Sequence, residues 1–457
     1  MLFGWLGVTI AFFRRMAPAR AAATAVVGGA LLLPMASYDL QGLVAYDKAA
    51  AVALGLLLAG AVRPPHAHRP LRLLPADIPM VLWCVVSPIA TSLSNGLGWY
   101  EALGSVVVHN LIWGVVYWTG RSLFSDPASS GDLCRAILAG GVLYVPLCLF
   151  EVRMSPQLSN MVYGFFPHSF LQHFRYGGYR PLVFMQHGLM VSLWMAESFV
   201  VAFWLWRSRA VTRFAGLPQG LIVLALFVTT ILCKSANGWA FMTLGLLSFL
   251  YYRRRRSTLL LRLLILLVPA YIIVRATGLV GIDQMLALAQ RVFDPHRVES
   301  LGVRLVQENL FGARAFERLL FGWGGWGRSW PVDPVTGERV LAAVDSLFVI
   351  TFGTNGLFGL VTLFAGILAG PWRVLRPNLA AADPGQAAAF EAHGREIVLL
   401  GIVVTFFAID ALLNSMINQV YVLCAGALVS YGAGLKPARS LAPATKDLSP
   451  LPAGSSL

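Results

Sequence analysis

DSLFVITFGTNGLFG, residues 345–359, is the stretch on which the reading of this chain turns. It follows a long polar segment and opens an apolar run of membrane-spanning character. Asp345 therefore sits at a water–lipid boundary, where an ionisable group is expensive and usually functional. An aspartate there can also cap the helix that follows. The functional reading gains weight because arginines collect on the same side of the membrane in two other segments.

The composition sets the class. Of 457 residues 57% are hydrophobic and 12% charged, with a mean hydropathy of +0.70. A soluble domain carries about twice that charged fraction. The chain reads as an all-α polytopic membrane protein. Its net charge of +14 does not point to nucleic acid, because the basic residues fall in short loops between apolar runs, as topology signals do. Cys84, Cys134, Cys148, Cys233 and Cys424 are scattered singly through apolar stretches. They read as small core hydrophobes rather than metal or redox pairs. Arg14, Arg15 and Arg20 precede the first apolar run, which fits a retained anchor rather than a cleaved signal peptide.

About twelve transmembrane helices follow from a span of roughly 20 residues each. They fall near 21–37, 45–62, 78–95, 102–120, 133–151, 181–206, 217–233, 236–252, 259–277, 346–369, 396–414 and 416–434. With simple alternation, the clusters at Arg14–Arg20, Arg63–Arg72, Arg207–Arg213, Arg253–Arg256, Arg373–Arg376 and the tail lie on one side. The positive-inside rule makes that side the cytoplasm and puts both termini there. The expected organisation is N-terminal transmembrane helices over 1–277, interrupted by an interfacial outer segment near 152–180. A large outer loop or flap follows at 278–345, then C-terminal helices at 346–435 and a disordered cytoplasmic tail at 436–457.

The outer segments hold the candidate chemistry. In the first, Tyr163, Phe165, Phe166, Phe170 and Phe174 supply headgroup-level aromatics. His168, Gln172 and His173 are interleaved with them, and Gly177 and Gly178 can end a short helix. Arg175 and Arg180 flank the next span, which is expected to begin at Pro181 and to place His187 two turns inside. Glu151 ends the previous span. The second outer segment predicts a helix from about Val298 to Leu320, packed through Val298, Leu301, Leu305, Phe316 and Leu320. Arg297, Arg304 and Glu308 recur at spacings of seven and four, hence on one face, by default a solvated one. FGWGGWGRSW (321–330) follows, with glycines that permit close backbone approach, the tryptophans Trp323, Trp326 and Trp330 suited to sugar stacking, and Arg328. Lys234 lies in KSANG (234–238), an outer turn. Arg180, Lys234, Arg304 and Arg328 concentrate positive charge on a face where it is normally scarce, which a bis-anionic, lipid-linked diphosphate would explain.

VYWTGR (116–121), FEVRMSPQL (150–158), RYGGYRPLVFMQHG (175–188), KSANG, the run from Arg304 to Arg328 and DSLFVITFGTNGLFG occur in an order that resembles the O-antigen ligase and O-antigen polymerase superfamily of bacterial envelope enzymes. The resemblance covers roughly 78–434. It implies a GT-C-like helix bundle with a large periplasmic loop, in the bacterial cytoplasmic (inner) membrane. It also implies metal-independent, inverting glycan transfer from undecaprenyl diphosphate on the periplasmic face, with no cofactor. Ligases carry histidine then asparagine where this chain has Asp345 and Ser346. By that resemblance Asp345 is the expected general base, and Arg180 and Arg304 bind the diphosphate. Arg175, His187, Lys234, Glu308, Trp326 and Arg328 are expected as supporting groups or glycan contacts.

The missing histidine favours a polymerase of exopolysaccharide or O-antigen repeat units over a ligase joining a finished glycan to a lipid or protein. Expected partners are the lipid-linked glycan, membrane lipid and a chain-length regulator or export complex. A transporter or flippase is the alternative from another class. A regulatory scaffold, which needs no reactive carboxylate, is a third. Convergence of Asp345, Arg180 and Arg304 separates the enzyme from the other two.

Overall fold

A computed structural model describes residues 1–39, 42, 44–62, 72–167, 169–255, 257–291, 295–333, 335–340, 344–375 and 384–434. The expected tail at 436–457 and His168 lie outside the described residues, as do the side chains of Arg297 and Trp326. The helices are α1 (Leu2–Arg15), α2 (Pro18–Leu32), α3 (Lys48–Val62), α4 (Pro75–Ser94), α5 (Gly98–Leu123), α6 (Pro127–Met154), α7 (Leu158–Tyr163) and α8 (Gly188–Arg207). They continue as α9 (Gln219–Leu232), α10 (Ala236–Arg255), α11 (Leu259–Thr277), α12 (Ile282–Gln290), α13 (Pro295–Phe316), α14 (Leu347–Leu375), α15 (Pro384–Asp410) and α16 (Gln419–Gly434). Sheet among the described residues is confined to two small antiparallel hairpins, β1–β2 (Phe174–Arg175 with Gly178–Tyr179) and β3–β4 (Arg213–Phe214 with Leu217–Pro218).

The chain is an all-α membrane protein. Among the described residues, six helices are long and apolar enough to cross a bilayer: α4, α5, α6, α8, α11 and α14. Apolar helices of 10–17 residues stand at 18–32, 48–62, 219–232 and 419–431, where further spans were expected. α8 is the central helix: it packs on α6, α9, α10 and α15, and almost all of it is buried. Small residues let the bundle close. A Cβ on Gly120 would stand 2.2 Å from the Leu423 carbonyl oxygen and one on Gly426 2.1 Å from that of Tyr117, so α5 and α16 meet backbone to backbone, as small residues allow between membrane helices. Beside this contact Arg121 is buried, with Nε 2.9 Å from Asp77, and the Tyr117 hydroxyl donates to the same carboxylate at 2.8 Å. Arg121 of the VYWTGR motif thus clamps α5 to the start of α4. All five cysteines are buried and unbridged.

Four expectations are corrected here. The span expected from Pro181 begins at Gly188, because Glu151 takes the amides of Leu182 and Val183 (both 2.7 Å) and of Leu158 (2.8 Å). Those bonds hold 181–187 out of the helix, with Val183 in the left-handed region at φ 54°. His187 is therefore not two turns inside; it is the N-cap, its Nδ1 accepting the Leu189 amide at 3.1 Å. Gly177 and Gly178 turn a hairpin rather than end a helix. The outer helix runs from Pro295 to Phe316. Its buried residues include Val298, Leu305 and Glu308, whereas Phe316 and Leu320 are exposed.

The Gly–Trp segment and DSLFVITFGTNGLFG are one structural unit. α14 breaks at Gly356 (φ 67°, ψ −169°), which strands backbone groups that a membrane interior cannot hydrate. The preceding segment satisfies them. Leu357 and Phe358 amides donate to the carbonyls of Leu319 (2.8 Å) and Leu320 (3.1 Å), while the Gly353 and Thr354 carbonyls accept from the amides of Trp323 and Gly324 (2.9 Å each). The fit leaves no room for a side chain: a Cβ on Gly356 would lie 2.4 Å from Leu320 C and O.

Candidate functional site

Asp345 lies in the two-residue approach to α14. It does not cap that helix. The Leu347 amide instead donates to the carbonyls of Ala411 (3.0 Å) and Asn414 (3.3 Å), at the turn that ends α15. The Asp345 carboxylate is turned to Arg304 of α13, at 3.3 Å. Arg304 also donates to the Leu413 carbonyl (3.2 Å) and to Asn414 Oδ1 (3.5 Å). The outer helix, the start of α14 and the end of α15 are joined by this one guanidinium.

The contacts continue inward. Asn414 Nδ2 donates to Asp410 (2.7 Å), and Asp410 accepts a second bond from Asn237 of KSANG (2.6 Å). Two residues earlier, the Ser235 hydroxyl accepts from Arg180 (3.1 Å). Arg180 is buried against the first turn of α8, where glycine is required: a Cβ on Gly188 would stand 2.7 Å from Arg180 Nε. Lys234, at φ 50°, reaches back to the Tyr176 carbonyl in the β1–β2 turn (3.3 Å). Arg180, the KSANG turn, Arg304 and Asp345 thus belong to one chain of polar contacts that includes Asp410 and Asn414.

Burial separates the roles within the cluster. The Asp345 side chain is 48% exposed and that of Arg304 27%. Exposed ion pairs are worth about 0–1 kcal/mol, so an incoming anion can displace this one at little expense. The neighbouring pair is different. Glu308 is buried; Arg275 Nε lies 3.0 Å away, the Ser346 hydroxyl donates to its other oxygen, and the Tyr271 hydroxyl sits at 3.4 Å. Burial pushes the Glu308 carboxyl above the usual glutamate range, opposed by the Ser346 bond and the Arg275 charge. The solvated face expected for the charged row is thus half wrong: Arg304 is reachable and Glu308 is not. Glu308 is buried behind the Arg304–Asp345 pair, bonded to Arg275 and Ser346.

Two expected contributors turn elsewhere. Arg328 pairs with Glu101 of α5 at 3.5 Å. Arg175 is half-buried in the hairpin opposite Gly178. The ring of Trp323 carries Arg314 at 3.5 Å and Arg318 at 4.7 Å, so stacking there serves protein cations.

Asn237, Asp410 and Asn414 of the network, and Arg275 and Tyr271 beside Glu308, escaped the sequence reading. Asp410 and Asn414 stood four apart inside an expected span, as AIDALLN (408–414), and that i, i+4 pairing of an acid and an amide in an apolar run is the signal that could have found them. Glu197, buried midway along α8 near Tyr421 and Asp410, was missed as well. No group of three or more His, Cys, Asp or Glu with metal-holding geometry occurs among the described residues. No protein-family description matches the chain, and no curated protein matches it.

Proposed function

We propose that this chain is a membrane glycosyltransferase that polymerises repeat units carried on undecaprenyl diphosphate. The observation that carries the reading is the half-exposed Arg304–Asp345 pair, linked through Asn414, Asp410 and the KSANG turn to Arg180. A carboxylate beside a displaceable guanidinium group suits inverting transfer from a diphosphate. The donor diphosphate takes Arg304 and thereby frees Asp345. An acceptor sugar hydroxyl then attacks the anomeric carbon, Asp345 takes the hydroxyl proton, and the bond to the diphosphate breaks. The departing electron pair stays on a phosphate oxygen that Arg304 and Arg180 stabilise. In this reading the chain crosses the inner membrane about twelve times, by the roughly 20-residue rule, with both termini cytoplasmic and the site periplasmic.

The buried Glu197 and Asp410 favour a second reading, because carboxylates inside a membrane bundle also mark solute pathways in transporters. Asp345→Asn separates the two. The polymerase reading expects normal membrane insertion, loss of long glycan, and accumulation of single repeat units on the carrier lipid. Long, unattached chains would instead indicate a ligase. Normal glycan from Asp345→Asn removes the enzymatic reading.

A further inference from the structure

A cavity of about 360 Å³ lies at the far end of the helices that build the Arg304–Asp345 site. α8 begins against Arg180 and ends at the cavity with Trp204 and Arg207. α10 begins after Ser235 and ends there with Phe249, Tyr252 and Arg253. α15 passes Arg395 at the cavity and finishes at Asp410. α8 has 20 residues, about 30 Å at about 1.5 Å per residue, so the cavity and Arg180 are a hydrocarbon thickness apart.

Its chemistry is two-sided. Three arginines, Arg207, Arg253 and Arg395, are among its lining residues, and no acidic residue is. Arg395 is held in place by its bond to the Ser208 carbonyl (3.0 Å), and Arg207 lies over the Trp206 ring at 5.8 Å. The lining also holds an aromatic cluster: Trp204 meets Phe249 at 5.2 Å and Tyr252 at 5.7 Å between ring centroids. The same two helices, α8 and α10, also expose Trp206, Leu247 and Leu250. A topology signal needs basic residues at this end of the bundle, but it does not need three of them from three helices around one open, aromatic-lined cavity. Arginine forks match phosphate oxygens, and basic pockets between membrane helices hold anionic headgroups.

We infer that this cavity binds a phosphate-bearing anion, the headgroup of an anionic phospholipid, at the membrane face opposite the Arg304–Asp345 site. The inference stands apart from the glycosyltransferase reading and uses none of its residues.

Native mass spectrometry of the full-length protein, released from neutral detergent with phosphatidylglycerol or phosphatidylcholine, tests it. Phosphatidylglycerol should be retained at least tenfold over phosphatidylcholine. At about fivefold per basic residue near the surface, Arg207→Gln/Arg253→Gln should lower retention at least tenfold, while Arg14→Gln/Arg15→Gln leaves it unchanged. If the double variant does not fold, Arg253→Glu alone, at an exposed position, gives the same readout. An excess of inorganic phosphate distinguishes the sources. Lipid that survives it supports the headgroup, and lipid fully displaced by it reassigns the cavity to a soluble phosphate anion. Equal retention of the two lipids, or a double variant that binds as the parent does, overturns the inference.

Discussion

Replacing Arg275 by Met tests whether the buried pair behind the site fixes its geometry. Arg275 and Glu308 are 5% and 2% exposed and 3.0 Å apart. Arg275 also donates to the Leu305 carbonyl (3.1 Å) and to Asn309 (2.8 Å). Removing one partner of a buried pair leaves an uncompensated charge and costs about 3–5 kcal/mol. Glu308→Gln should be milder, about 1.5–3 kcal/mol for a weakened bond to a charged group, because Gln still offers Arg275 an acceptor and Arg275 keeps its bonds to the Leu305 carbonyl and Asn309. In Arg275→Met/Glu308→Gln no charge is stranded, so the double variant should be more stable than the sum of the singles by at least about 2 kcal/mol, within the range of coupled contacts. The assay is denaturant unfolding of the purified protein in micelles, closed as a double-mutant cycle. Additivity within about 0.5 kcal/mol would show that the pair does not act as a unit. The consequence reaches the site, since Arg304 lies one helical turn from Glu308 and Ser346 adjoins Asp345.

The pH dependence of the same group has a definite sign. Burial raises the folded Glu308 carboxyl above its unfolded value, about 4.3 for a model glutamate. Its contribution is therefore full below the unfolded pKa and is lost as pH rises through the folded one. The stability of the parent relative to Glu308→Gln should fall on going from acid to neutral pH; a flat or rising difference refutes this. Gly356→Ala should destabilise the protein by at least about 2 kcal/mol, since it adds left-handed strain to a 2.4 Å backbone collision. Unchanged unfolding and expression would mean that the Gly–Trp plug does not hold the α14 break.

Much of the architecture was legible because each helix satisfies its own backbone. Apolar run length and loop charge are local quantities, so the helical membrane class followed from them, and every expected span between 21 and 434 coincides at least in part with a helix. Where an element depended on a distant side chain, the sequence misled. The entry to α8 is set by Glu151, which borrows the amides of Leu182 and Val183, and no local propensity encodes that. The sequence placed Arg304 and Glu308 on one face but not what covers each: Arg304 meets Asp345 and Glu308 is buried against Arg275, because helical spacing gives a face and not its partner.

The order of residues alone determined a membrane protein with an acid at the mouth of a span and arginines scattered before it. Tertiary structure decided which of those charges meet. Arg304 takes Asp345, Arg275 takes Glu308 and Glu101 takes Arg328. The physical reason is that a charge inside or beside a bilayer must find its partner in space, across 33 to 227 positions of chain for the Arg275–Glu308 and Arg328–Glu101 bonds, and partner choice at that range is written only by how the helices pack.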